Sequence, residues 1–127
     1  MKLLCAVFCI AAYVSIPSSL LAQGILTQIT TDTLYQGFPE IYGNRIVWVD
    51  NRGGAANSDI YMYNITTGIE TQITTDIDDQ SSPAVWGDKI VWTDYRNNDA
   101  DIYMYDISTG MERSICTANG NQQSPKI

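Results

Sequence analysis

Pro39 to Gly68 reads PEIYGNRIVWVDNRGGAANSDIYMYNITTG, and Pro83 to Gly110 reads PAVWGDKIVWTDYRNNDADIYMYDISTG. One unit is written twice. Trp48 recurs 44 residues later as Trp92, and Asp59 recurs 42 residues later as Asp101, so the second copy is two residues shorter in the loop between them. Thr27 to Asp32, Thr71 to Asp76 and Arg113 to Ala118 are three versions of a further shared segment. A strand-rich repeat with a period of this size predicts a propeller or a related array.

Each copy holds four strand signals. Gly43-Asn44 and Gly87-Asp88 separate the first apolar run from the second, with turn residues suited to a two-residue hairpin. The loops Asn51 to Ser58 and Tyr95 to Ala100 absorb the length difference, which places them on the surface. Asp59 to Tyr63 and Asp101 to Tyr105 are the third strands, and Gly68 and Gly110 reverse the chain into the fourth. In Ile46 to Val49 and Ile60 to Tyr63 both faces carry large apolar side chains, which requires cover on both sides of the sheet. Stacked blades supply it, so Trp48 and Trp92, and likewise Tyr42 and Trp86, are expected between blades; a sugar-binding platform is the sharper alternative for aromatic residues near loops.

Composition bounds the rest. Met1-Lys2, an uncharged apolar run from Leu3 to Ile16, and Pro17 to Ala22 make residues 1–22 a secretory signal peptide cleaved between Ala22 and Gln23, with a retained N-terminal anchor as the alternative. No membrane span is expected after cleavage. The chain has 7 basic and 14 acidic residues, and loss of Lys2 makes its formal charge of −7 one unit more negative. Such a surface excludes nucleic acid as a partner. Cys5 and Cys9 leave with the leader, so Cys116, aligned with Thr30 and Thr74, is left with no intrachain disulfide partner.

The pattern S-P-A-[VIY]-[WY]-G-[DN]-[RK]-I-V-W-x-D-x-R followed by D-I-Y-M-Y-[DN]-[IL]-[ST]-T-G resembles the TolB-type β-propeller repeat, in the version found in tandem in exported proteins of archaeal and bacterial cell surfaces. The resemblance covers Thr27 to Ile127 and implies an all-β fold of propeller blades used for protein or surface contacts. It transfers no catalytic residues. Repeats at about 33–76 and 77–118, with partial blade strands at 25–32 and 119–127, describe an incomplete propeller, since closed ones have about four to eight blades.

With 0 histidines the chain has no Ser-His-Asp, Cys-His or histidine-zinc arrangement. Glu70 and Glu112 are equivalent positions on outer strands and do not form an unlike catalytic pair. Asp94, Asn97, Asp99 and Asp101 are the calcium candidates, but they lack the spacing of a calcium loop and turn formation explains them better. Arg52 and Arg96 are expected to pair with Asp59 and Asp101 across the hairpin. Asn64-Ile65-Thr66 is a glycosylation sequon. No cofactor is expected.

These readings point to a secreted or cell-surface module that binds a protein or an envelope polymer without catalysis. The alternatives are a fragment of a larger propeller-containing hydrolase and a truncated gene product. Uncovered outer faces, Ile60 to Tyr63 among them, suggest a homo-oligomer that completes the ring, for instance three chains of two blades.

Overall fold

The structure, a computed structural model, describes residues 25–54 and 57–127. The leader, Ala22 and Gln23 lie outside the described residues. Two compact units divide the chain, Met1–Thr31 and Asp32–Ile127. In the first, described residues 25–31 carry no regular element, and Gln28 Nε2 donates to the Thr30 carbonyl at 2.9 Å.

The second unit is two four-stranded antiparallel sheets. Blade 1 contains β1 (Gln36–Tyr42), β2 (Arg45–Asp50), β3 (Asp59–Asn64) and β4 (Ile69–Gln72); blade 2 contains β5 (Gln80–Trp86), β6 (Lys89–Asp94), β7 (Asp101–Asp106) and β8 (Met111–Cys116). Each is a meander in sequence order, and the registers repeat, Trp48 facing Tyr61 as Trp92 faces Tyr103. In the β1–β2 and β5–β6 turns only Gly43 (φ 57°) and Gly87 (φ 54°) adopt positive φ, at the first central position, where a two-residue hairpin of type II′ requires glycine.

The inner strands begin earlier than the apolar run suggests. β1 and β5 extend back through Pro39 and Pro83 to Gln36 and Gln80, because each proline sits in a bulge where the ladder skips a register step. Phe38 and Ser82, just before the prolines, both take φ 51°. A residue without an N–H is tolerated in a strand at such a bulge.

The main core lies between the blades. Val47, Val49, Ile60 and Met62 of blade 1 meet Val85, Ile90 and Trp92 of blade 2, with Ile73 from the segment after β4. Alternation with period two sends Tyr61 to the other face of β3 beside Trp48, and that face is also buried. The expectation that Ile60 to Tyr63 form an uncovered outer surface is therefore corrected. Ile60 is fully buried and Met62 buried against blade 2, while on the opposite face Tyr61 is buried beside Trp48 with Arg52 over its ring, and Tyr63 is half-buried. At one end Arg45 crosses between blades, donating to the Gly87 carbonyl at 2.6 Å and to Asp88 at 2.8 Å, while the Tyr42 and Trp86 rings meet at 4.6 Å with Trp86 58% exposed.

Candidate functional site

The polar residues singled out by the sequence gather at the loop end of β2 and β6. In W-x-D-x-R, residues two apart on a strand share a face, which aligns indole, carboxylate and guanidinium. Asp94 is fully buried; it accepts from Trp92 Nε1 at 2.9 Å and from Arg96 Nε and Nη2 at 2.8 and 2.6 Å. Arg96 lies over the Tyr103 ring at 4.3 Å, continues to Glu112 at 2.8 Å and approaches Asp76 of blade 1 at 3.8 Å. Blade 1 repeats this with Trp48, Asp50, Arg52, Tyr61 and Glu70.

The arginine partners differ from the expected ones. Arg52 and Arg96 bind Asp50 with Glu70 and Asp94 with Glu112, whereas Asp59 and Asp101 are served by other donors. Asp59 stands directly opposite Asp50 in the ladder. Two carboxylates so placed repel, so each is held by its own set of donors. Burial pulls the Asp50 carboxyl upward, but Arg52 and the Trp48 indole outweigh it and hold it below the ordinary value. Burial raises Asp59, and Thr74 and Gln72 offset that only in part. Acid acts on the two in opposite senses. The Asp50 contribution is present above the ordinary carboxylate range and is lost as the pH falls through its lowered value, while protonation of Asp59 relieves its burial cost.

The two blades hold the second carboxylate differently. Asp59 accepts from Thr74 Oγ1 and Gln72 Nε2, both at 3.0 Å. Their counterparts in blade 2 are Cys116 and Ser114, and neither bonds Asp101. Instead Asn97 donates to Asp101 at 2.7 Å, from a loop position occupied by Gly53 in blade 1. The buried Asp101 thus depends on one loop amide for the bond that blade 1 draws from its outer strand. Cys116 is a free, half-buried thiol at the end of β8.

This placement separates the calcium candidates. Asp94 is turned into the arginine cluster, Asn97 presents its amide N–H to Asp101, and Asp99 accepts from the Gly120 N–H at 3.3 Å. Among the described residues no group of three or more His, Cys, Asp or Glu converges on one point. Asn64, the sequon residue, closes β3; its Oδ1 accepts from the N–H groups of Thr66 and Thr67 and from Asn44 Nδ2. Glu70 and Glu112 are the far partners of the arginines. The role of Asn97 escaped sequence reading, although the joint change of Gly53, Gln72 and Thr74 to Asn97, Ser114 and Cys116 was a signal for it.

Asn97→Gly is expected to destabilise the fold by about 1–3 kcal/mol, the usual cost of orphaning a buried acceptor. Addition of Cys116→Thr, the blade 1 solution, is expected to recover part of the loss in the same thermal scans. Calcium added to the unmodified chain is expected to leave the melting temperature unchanged; a rise abolished by Asp99→Ala would reinstate the metal site.

No family model and no curated protein matches the chain. Solved structures do. A putative TolB from Agrobacterium tumefaciens aligns with a TM-score of 0.64 at 19% identity over 75% of this chain and 35% of that one. TolB from Acinetobacter baumannii aligns at 0.67 and 20% identity over 84% of this chain and 27% of that one. An acylaminoacyl peptidase from Pyrococcus horikoshii aligns at 0.53 and 22% identity over 67% and 14%. The chain thus spans about a third of the length of the TolB structures or less. What is shared is the fold: two blades of the TolB-type β-propeller.

Proposed function

We propose that the chain is an extracytoplasmic propeller module that binds a protein or an envelope polymer and performs no catalytic step of its own. The observation that carries this reading is the use of the buried charges. In each blade a buried aspartate, Asp50 or Asp94, is engaged by Arg52 or Arg96, which also pairs with Glu70 or Glu112, in matching geometry, which is the chemistry of a scaffold repeated for rigidity. Loops on such a scaffold offer a fixed binding rim, and the acidic surface suits a basic or cation-bridged partner. The leader-like start at residues 1–22 supports export.

The likeness to a peptidase propeller keeps the hydrolase-fragment reading as the competitor. Co-sedimentation of the purified chain with isolated cell-envelope polymer, beside assays with ester and peptide substrates, separates them. Retention on the polymer without turnover is expected. Turnover that survives repurification would overturn the binding reading.

A further inference from the structure

Residues 117–122 cross the loop end of blade 2 as a strap without regular structure. The Ala100 N–H donates to Asn121 Oδ1 at 3.0 Å, the Gln122 N–H donates to the Ala100 carbonyl at 2.6 Å, and the Gly120 N–H donates to Asp99 Oδ2 at 3.3 Å. The Gln122 side-chain amide donates to the carbonyls of Ala118 and Gly120 and so brackets the dipeptide Asn119-Gly120. In the whole sequence Asn119 is the one asparagine followed by glycine. Its side chain is exposed, and among the described residues no hydrogen bond holds it, whereas the amides of Asn44, Asn64, Asn97 and Asn121 are all engaged. Gly120 takes φ 91°, and nothing lies within 4 Å of where a Cβ would stand. A backbone nitrogen can attack the asparagine side chain before it when no Cβ obstructs the approach, when the asparagine amide is free to turn, and when a base can take the N–H proton. All three conditions meet at this dipeptide.

We propose that Asn119-Gly120 is a site of self-modification, with Asp99 as its general base and loosening of the strap as its outcome. The Gly120 nitrogen bonds to Asn119 Cγ while its proton passes to the Asp99 carboxylate that already accepts it. The Cγ–Nδ2 bond then breaks, and the side-chain amide leaves as ammonia, taking that proton with it. The product is a five-membered cyclic imide. Its nitrogen carries no hydrogen, so the bond to Asp99 is lost at this stage. Water opens the ring at either carbonyl. Attack at the side-chain carbonyl leaves aspartate, and attack at the main-chain carbonyl leaves isoaspartate, in which the chain continues through the side-chain carbon. Both products add a carboxylate near Asp99 in a chain that already has 14 acidic residues against 7 basic ones, and like charges so placed repel. The isoaspartyl form also lengthens the main chain by a methylene just before Gly120, which shifts Asn121 and Gln122 off the Ala100 N–H and carbonyl that they hold. Ala100 is buried and closes the loop that carries Asn97 to Asp101, so the change is felt where the loops of the blade are fixed. This goes beyond the binding reading and does not rest on it.

The test holds the full chain in neutral buffer and follows, by peptide mass spectrometry, the replacement of –NH2 by –OH at each asparagine. Asn119 is expected to convert about tenfold faster or more than Asn98, which is also exposed but is followed by Asp99 in place of a glycine. Asp99→Asn keeps an acceptor for the Gly120 N–H but supplies no base, and is expected to slow conversion of Asn119 about tenfold or more. In the converted chain, amide hydrogen exchange at Ala100 and Gln122 is expected to quicken about tenfold, the effect of losing a hydrogen bond. Asn119→Gln held in the same buffer is the control and is expected to keep its original exchange. Conversion of Asn119 no faster than that of Asn98, an undiminished rate in Asp99→Asn, or unchanged exchange after conversion would overturn the proposal.

Discussion

Replacing Trp92 by alanine is expected to cost about 3–5 kcal/mol, the usual range for emptying a buried tryptophan site. Trp92 is fully buried in the core between the blades, stacks on Tyr103 at 6.3 Å and donates to the buried Asp94, so the variant loses packing, a ring contact and a hydrogen bond together. A unit of this size loses about 4–8 °C of melting temperature per kcal/mol, which makes the expected fall larger than about 12 °C. Trp86→Ala is the control. Its ring is mostly exposed and is expected to tolerate truncation within about 1 kcal/mol. Thermal unfolding followed by circular dichroism compares the two. Equal stability of both variants would remove Trp92 from the core and overturn the packing account.

Arg96→Met is expected to be nearly as damaging, at about 3 kcal/mol. Breaking a buried ion pair from one side costs about 3–5 kcal/mol, because it strands the other charge. The lower end applies because the Arg96 side chain is 22% exposed and water screens part of the interaction. Asp94 would keep only the indole as a side-chain donor. Arg96→Met combined with Asp94→Leu is expected to be more stable than Arg96→Met alone, since the fully buried carboxylate is then gone and only the partly exposed Glu112 loses its partner. A double variant worse than the single one would show that the pair itself, and not the stranded charge, supplies the stability.

The four-strand blade was legible because its punctuation is local: Gly43 and Gly87 mark one turn, Gly68 and Gly110 the other, and the equivalence of Trp48 with Trp92 set the register. The apolar character of both faces of β3 was legible from Ile60 to Tyr63, but that both faces are covered within the chain was not, since alternation assigns sides without naming what stands there. Pro39 and Pro83 hid the first half of the inner strands. A proline argues against a strand unless a bulge is present, and a bulge has no strong local signature. The arginines were placed in the right loop but given the wrong partners, because Asp50 and Asp59 are opposite one another and only side-chain geometry decides between them.

The two ways of holding the second carboxylate bear on how such a gene can change length. Asp59 to Tyr63 and Asp101 to Tyr105 are the same five residues, so unequal recombination between the copies has a natural crossover there. The contracted product would join the Gly53 loop to the outer strand with Ser114 and Cys116, leaving the buried aspartate without any of its donors. The expanded product would gain a hybrid blade with Asn97 in front and Gln72 with Thr74 behind, and its aspartate would be served from both sides. Divergence at three positions thus costs the contracted product the hydrogen bonds of a buried carboxylate and spares the expanded one that loss.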